Sequence, residues 1–164
     1  MVAEKILMGL RPDMREYATR FEAECAKHSI DALIYCGFRS PEQQAALWRV
    51  GRTKDAIDEM ILKLRRKGQG GVSILLEAAG PQPGKKIVTN ALPYQSAHNW
   101  GLAIDAVPLY HGKALWNDAA SITKMGECGE TVGLEWAGRW KTFKESVHFQ
   151  HTNFYQSLKN MPPR

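Results

Sequence analysis

The sequence is poor in cysteine, and none of its cysteines stands in a CxxC pair. Its 164 residues include only Cys25, Cys36 and Cys128. An odd count without paired spacing argues against the disulfide framework that holds many small secreted domains together. We therefore expect all three thiols to be reduced and to serve as small, buried apolar side chains.

A long apolar run is also missing. No stretch approaches the roughly 20 apolar residues that span a bilayer, so we expect no stable membrane insertion. The first ten residues carry Glu4 and Lys5 early and lack the apolar core and small-residue cleavage site of a secretory signal. These features predict a protein that begins in the cytosol and reaches a target beyond the membrane only with help.

The composition is that of an ordinary globular chain. Hydrophobic residues make up 44% and charged residues 24% of the sequence, which suits one core and is unlike a disordered protein. We expect a single domain over residues 1–164, acting as a monomer. The formal net charge of +5 favours a polyanionic partner such as an anionic cell envelope. Because no basic stripe is interleaved with stacking aromatics, we expect no nucleic-acid partner.

Periodicity predicts helices and short strands in irregular order, which is typical of an α+β fold with a small, mostly antiparallel sheet flanked by helices. Ser40, Pro41 and Gln43 indicate a helix start, because serine caps, proline suits the first turn and glutamine closes a capping box. His111 and Gly112 indicate a hairpin turn. An apolar element at residues 72–79 has no clear type. The predicted helices span residues 12–28, 40–50, 55–67 and 118–132, and the predicted strands span residues 32–36, 87–91, 102–109, 114–116 and 147–151.

Two histidines and two acids stand inside apolar surroundings. A catalytic zinc takes three ligands from histidine nitrogen and carboxylate oxygen and keeps one position open for water. His98, Asp105 and His148 supply such a set, and Glu145 is left over as a base. Asp105 lies in an apolar predicted strand, where an unpaired carboxylate is costly or becomes protonated. A cation must compensate it, and zinc is one candidate.

The spacing of these residues allows a shared site without requiring one. Seven positions separate His98 from Asp105, so the two would point to opposite faces of a continuous strand. The chain must turn between them, and Gly101 permits a turn. Glu145 and His148 are three positions apart and converge only if Glu145 lies in the loop before the last strand. A surface charge is the simpler alternative for Glu145.

Two segments resemble the VanY-like and phage-endolysin zinc peptidases. Residues 96–105, SAHNWGLAID, resemble the SxHxxGxAxD signature of that family, and residues 145–148, ESVH, resemble its second, ExxH element. Residues 134–140, LEWAGRW, are similar to the tryptophan-rich loop of the L-alanyl-D-glutamate endopeptidases. Residues 38–40 with Gln43 resemble the upstream arginine motif of those enzymes. The resemblance covers about residues 30–150 in the family order.

The resemblance implies a Hedgehog/DD-peptidase-like fold and a set of roles. His98, Asp105 and His148 would bind Zn²⁺, Glu145 would be the catalytic base, and Arg39 would hold a carboxylate or carbonyl of the substrate. Pairing with an acid, or capping a turn, is the simpler alternative for Arg39. The sequence departs from the compact members by a helical insertion at about residues 54–85, which bears on substrate access rather than on the metal site.

The function implied by the resemblance is hydrolysis of the L-alanyl-D-glutamate bond in the peptidoglycan stem peptide. The enzyme would be a phage endolysin, kept in the host cytoplasm until lysis. A D-Ala-D-Ala carboxypeptidase or dipeptidase is the nearest alternative. A zinc-bearing binding module without catalysis, as in the Hedgehog signalling domain, is another, although Glu145 at the base position argues against it. A nucleic-acid-binding protein is favoured only by net charge.

Overall fold

The computed structural model describes residues 3–159, which form the predicted α+β fold. No helix in this range is long and apolar enough to cross a membrane. The described residues form helices α1 (Glu4–Gly9), α2 (Pro12–Lys27), α3 (Pro41–Arg49), α4 (Lys54–Arg66), α5 (Gly70–Ala78), α6 (Ala119–Thr131) and α7 (Phe154–Lys159), and strands β1 (Asp31–Cys36), β2 (Ala103–Tyr110), β3 (Lys113–Ala114), β4 (Leu134–Trp136) and β5 (His148–His151).

The chain divides into two compact units. Of the described residues, the first contains those up to Phe38 together with those from Trp100 to the end of α7, and the second contains Arg39–Asn99. All five strands found in residues 3–159 belong to the first unit, whereas α3, α4 and α5 belong to the second. The single domain over residues 1–164 stays a prediction.

The sheet of the first unit is antiparallel throughout. Its order is β1-β2-β5-β4, and β3 pairs with β2. Strands β2 and β3 form the predicted hairpin, in which His111 and Gly112 have φ angles of 48° and 73°. Two consecutive positive φ angles are what a two-residue type I′ turn requires. The predicted antiparallel sheet flanked by helices is confirmed.

One face of this sheet packs against α2 and α6 and forms the core of the first unit. Ile104, Phe149 and Trp136 lie side by side on β2, β5 and β4, and all three are buried in this core. Because side chains alternate along a strand, Asp105 and His148 point to the opposite face. The apolar ladder therefore determines which face of the sheet carries the polar side chains.

The second unit has its own apolar core, to which α3, α4 and α5 all contribute. Helix α3 begins with the predicted capping box: Ser40 Oγ accepts the Gln43 backbone N–H at 3.2 Å, and Gln43 Oε1 accepts the Ser40 backbone N–H at 2.9 Å. Helices α4 and α5 lie within residues 54–85, and α5 shows that the apolar element of uncertain type is helical.

The strand predicted at residues 87–91 is wrong, since none of these residues, all of them described, belongs to a strand. Their carbonyl groups accept from side chains instead: Arg52 Nη2 donates to Thr89 O at 2.9 Å, and Gln44 Nε2 donates to Ala91 O at 2.8 Å. The sequence also did not predict β4, α1 and α7 among the described residues, because three to six residues carry too little periodicity to indicate a type.

Candidate metal centre

Asp105 and His148 face each other on the polar side of the sheet. The register of β2 and β5 places them directly opposite, and His148 Nδ1 lies 3.3 Å from Asp105 Oδ1. Both are buried, with 8% of Asp105 and 5% of His148 exposed. Since a buried carboxylate requires a compensating cation, the pair has both the charge and the donor atoms that suit a divalent metal.

The surroundings of His148 favour positive charge. Burial acts to lower the pKa of His148, but hydrogen bonding to Asp105 and Gln150, together with the negative charges of Asp105 and Glu145, outweighs burial and raises it. A cation at the Nδ1 edge therefore meets a favourable field. A bound metal ion that takes the place of the Nδ1 proton would meet the same field.

Glu145 lies in the loop before β5, as its spacing from His148 required. Its carbonyl accepts the His148 backbone N–H at 3.2 Å, and its own N–H donates to Ala137 O at 3.3 Å. The next residue is held as well, because the indole N–H of Trp136 donates to Ser146 O at 2.9 Å. These contacts fix a partly exposed carboxylate close enough to His148 to raise the pKa of the imidazole.

The prediction for the cysteines holds only in part. None of the three forms a disulfide, and Cys25 and Cys128 are buried, which raises the pKa of both thiols. Cys36 is only partly buried, so its predicted role as a buried apolar side chain is wrong. A register shift after Ile34 places Cys36 opposite Asp105 instead of on the core side. The bulge in β1 thus adds a sulfur atom to the polar face of the sheet.

His98 lies in the short 3-10 helix Ala97–Trp100 and is 2% exposed. The turn that its spacing from Asp105 required is confirmed at Gly101, which has a φ of 67°. A Cβ at this position would lie 2.8 Å from Gly9 O and 3.0 Å from the Arg11 backbone nitrogen. Glycine is therefore needed here for both its conformation and its size.

Arg39 is tied to the His98 segment through the backbone. The Arg39 N–H donates to His98 O at 3.1 Å, and Asn99 Nδ2 donates to Arg39 O at 2.8 Å. Asn99 Oδ1 in turn accepts the Tyr94 backbone N–H at 2.8 Å. The second unit thus brings together two of the predicted site residues, Arg39 and His98, and the first unit brings together Asp105, Glu145 and His148.

Gln44 orients Arg39, and sequence reasoning did not select it. Its Oε1 accepts from Arg39 Nη1 at 3.0 Å while its Nε2 donates to Ala91 O, and the side chain is fully buried. Buried amides are retained where both ends are hydrogen-bonded. The signal that could have identified Gln44 is a polar residue beside Ala45 on the buried face of an amphipathic helix.

The donor atoms of these residues fit a zinc-type metal. Catalytic zinc is bound through imidazole nitrogen and carboxylate oxygen, with thiolate as a further ligand type. Within the first unit, Cys36 lies opposite Asp105 on β1 and β2, and His148 adds an imidazole beside the same carboxylate. The polar face of the sheet therefore also offers a thiol, which the predicted ligand set does not use.

Comparison with known proteins identifies the family of this chain. A model of the D-alanyl-D-alanine carboxypeptidase group of M15 peptidases matches residues 89–151, a range that contains His98, Asp105, Glu145 and His148. The peptidoglycan L-alanyl-D-glutamate endopeptidase CwlK of Bacillus subtilis is 31% identical over 150 residues, which cover 86% of this chain and 72% of that protein. The chain belongs to the M15 peptidase family. It is a metallopeptidase, and the family resemblance of residues 96–105 and 145–148 is confirmed.

Solved structures of similar fold include several peptidases. The L-Ala D-Glu endopeptidase ChiX of Serratia marcescens has a TM-score of 0.51 at 19% identity, covering 93% of this chain and 88% of that one. The LD-carboxypeptidase LdcB has a TM-score of 0.54 at 15% identity, covering 92% and 64%. The D,D-pentapeptidase VanY, solved with Zn(II), has a TM-score of 0.51 at 15% identity, covering 92% and 76%. At these identities the similarity shows the shared fold alone.

Proposed function

We propose that this M15 peptidase is a zinc enzyme that hydrolyses the L-alanyl-D-glutamate bond of the peptidoglycan stem peptide. The observation that carries the proposal is the buried Asp105–His148 pair, with Glu145 fixed on the loop beside it. The bond is proposed from the 31% identity to an endopeptidase of this specificity.

We assign His98, Asp105 and His148 as the zinc ligands. Bound zinc would supply a water whose pKa is lowered to about 7 and would polarise the scissile carbonyl. Glu145 takes the proton of the attacking water and delivers it to the leaving amine, for which a partly exposed carboxylate held by backbone bonds is well suited. Arg39, oriented by Gln44, holds a carboxylate or carbonyl of the substrate.

A digest of purified peptidoglycan tests this function. Mass spectrometry should find new free amino groups on D-glutamate and intact sugar strands, and Glu145→Gln should form these products about 100- to 10,000-fold more slowly. A digest that yields no new amino groups with zinc-loaded enzyme would contradict the proposal.

The second candidate is a D-Ala-D-Ala carboxypeptidase, favoured by the family description that residues 89–151 match. The same digest distinguishes the two, because a carboxypeptidase releases only terminal D-alanine and leaves the L-alanyl-D-glutamate bond intact. A zinc-bearing binding module without catalysis would retain zinc and adhere to the wall but release nothing.

We further propose that the enzyme acts as a phage endolysin, as a monomer that is kept in the host cytoplasm until lysis. The net charge of +5 would draw it to an anionic wall once the membrane opens. Expression in a bacterial host should leave cells intact until a membrane-permeabilising agent is added, after which they should lyse. Lysis without the agent would contradict the need for a separate pore.

A further inference from the structure

A chain of hydrogen bonds connects His148 to a carboxylate on the neighbouring strand. His148 Nε2 lies 3.1 Å from Gln150 Oε1, and Gln150 Nε2 donates to Glu135 Oε2 at 3.0 Å. The other oxygen of this carboxylate, Glu135 Oε1, accepts the indole N–H of Trp140 at 2.7 Å. Gln150 is 2% exposed, so its amide depends on these partners for its hydrogen bonds.

The sheet register brings these side chains to one face. Asp105 lies opposite His148 on β2 and β5, and Glu135 lies opposite Gln150 on β4 and β5. His148 and Gln150 are two residues apart on β5 and therefore share a face. The residue between them, Phe149, is buried in the core on the opposite face. All four polar residues thus form one row across β2, β5 and β4.

The donor and acceptor groups of Trp140, Glu135 and Gln150 fix the direction of the hydrogen bonds that lead to His148. An indole N–H can only donate and an ionised carboxylate can only accept, so Glu135 must receive from both Trp140 and Gln150. The amide nitrogen of Gln150 then faces Glu135, and its amide oxygen faces His148. An amide oxygen only accepts, so the proton must be on Nε2 of His148. The remaining ring nitrogen, Nδ1, is the one that faces Asp105.

We propose that Trp140, Glu135 and Gln150 are positioning residues that hold His148 with its proton on Nε2 and so reserve Nδ1 for the metal. The inference rests on the zinc site of the proposed function. Partners of the second ring nitrogen are known to set the tautomer of metal-binding histidines, and their loss typically weakens metal affinity by about 10- to 100-fold. Here the partner is a neutral amide whose own orientation is set by a carboxylate one step further away.

The decisive variant is Glu135→Gln, which keeps the shape of the side chain but can reverse the direction of the hydrogen bonds between Glu135, Gln150 and His148. The new amide can accept from Trp140 and donate to Gln150, whose amide then turns and donates to Nε2 of His148. The number of hydrogen bonds is unchanged. Because Nε2 of His148 now accepts a hydrogen bond, it must carry the lone pair, and the proton moves to Nδ1. The matched control is Glu130→Gln, which removes the same charge from an exposed carboxylate that pairs with Arg139 at 3.1 Å.

Two measurements test the proposal. In zinc-bound wild type, long-range 1H–15N spectra should show zinc on Nδ1 of His148 and a proton on Nε2. Chelator competition should give about 10- to 100-fold weaker zinc binding for Glu135→Gln, with Glu130→Gln unchanged. If Glu135→Gln does not fold, Trp140→Phe replaces it, with an expected loss of zinc affinity of a few-fold because Glu135 loses one donor.

The outcomes separate the two proposals. Zinc on Nε2 in wild type, or wild-type zinc affinity in Glu135→Gln, overturns the positioning role while leaving the zinc peptidase intact. If the wild-type protein binds no zinc, the proposed function is wrong, and so is the positioning role, because that role depends on the zinc site.

Discussion

Gly129 of α6 lies against the ring of Phe149, and no space for a side chain exists there. A Cβ at this position would lie 2.5 Å from both Cδ1 and Cε1 of Phe149, about 1 Å inside ordinary carbon–carbon contact. The ring cannot easily retreat, because it packs on Phe21 with ring centroids 4.8 Å apart. Overpacking of this kind costs about 1–3 kcal/mol, and replacing glycine inside a helix returns about 0.5–1 kcal/mol.

Because Phe21 backs the ring, the cost should lie in the upper part of this range, about 2–3 kcal/mol, so we expect Gly129→Ala to lower the free energy of unfolding by about 1–2.5 kcal/mol. For a chain of this size that corresponds to a Tm lower by about 2–10 °C, measured by circular dichroism during heating. The control is Gly71→Ala in α5, where a Cβ meets nothing within 4 Å, and its Tm should equal or exceed that of wild type. A Gly129→Ala variant as stable as the control would refute the packing argument.

The remaining predictions concern the site. Asp105→Ala should lower zinc content well below one ion per chain in elemental analysis, because His148 loses the carboxylate opposite it; normal zinc content would show that the ligand is another residue. Glu145→Gln should lower the rate of wall-peptide hydrolysis by about 100- to 10,000-fold with zinc content and Tm unchanged, and activity within a few-fold of wild type would place the base elsewhere. Gln44→Leu should raise KM more than it lowers kcat, because Arg39 loses the acceptor that orients it; unchanged steady-state kinetics would remove Arg39 from substrate binding.

The candidate zinc ligands and the candidate base could be selected from the sequence, because their residue types suggest a chemical role. The residues that orient them through hydrogen bonds could not. His98, Asp105, Glu145 and His148 were selected because their residue types form a zinc-ligand set with a spare base and match a family motif. Gln150 is equally buried, but an amide carries no charge that requires compensation. Its role depends on Glu135, which is fifteen positions away in sequence and opposite in register.

The failed strand at residues 87–91 has a different cause. Its β-branched residues are typical of a strand, yet none of the five belongs to one, and Ile87 and Val88 are each 45% exposed. The backbone groups that would have formed a ladder accept instead from Arg52 and Gln44. Side chains of α3 and of the loop that follows it overrode the local β preference, and a single sequence gives no sign of such competition.

Because side chains alternate along β5, the packing of the core determines where His148 lies. His148 and Gln150 face the polar side while Phe149, between them, packs under α6 against Gly129. A shift of one residue in the pairing of β5 would turn the imidazole into the core and the phenyl ring into the site. The apolar ladder of Ile104, Phe149 and Trp136 opposes that shift, because all three must remain buried. The methyl group added by Gly129→Ala would therefore displace β5 and, with it, His148. We expect this variant to bind zinc more weakly than wild type as well as being less stable.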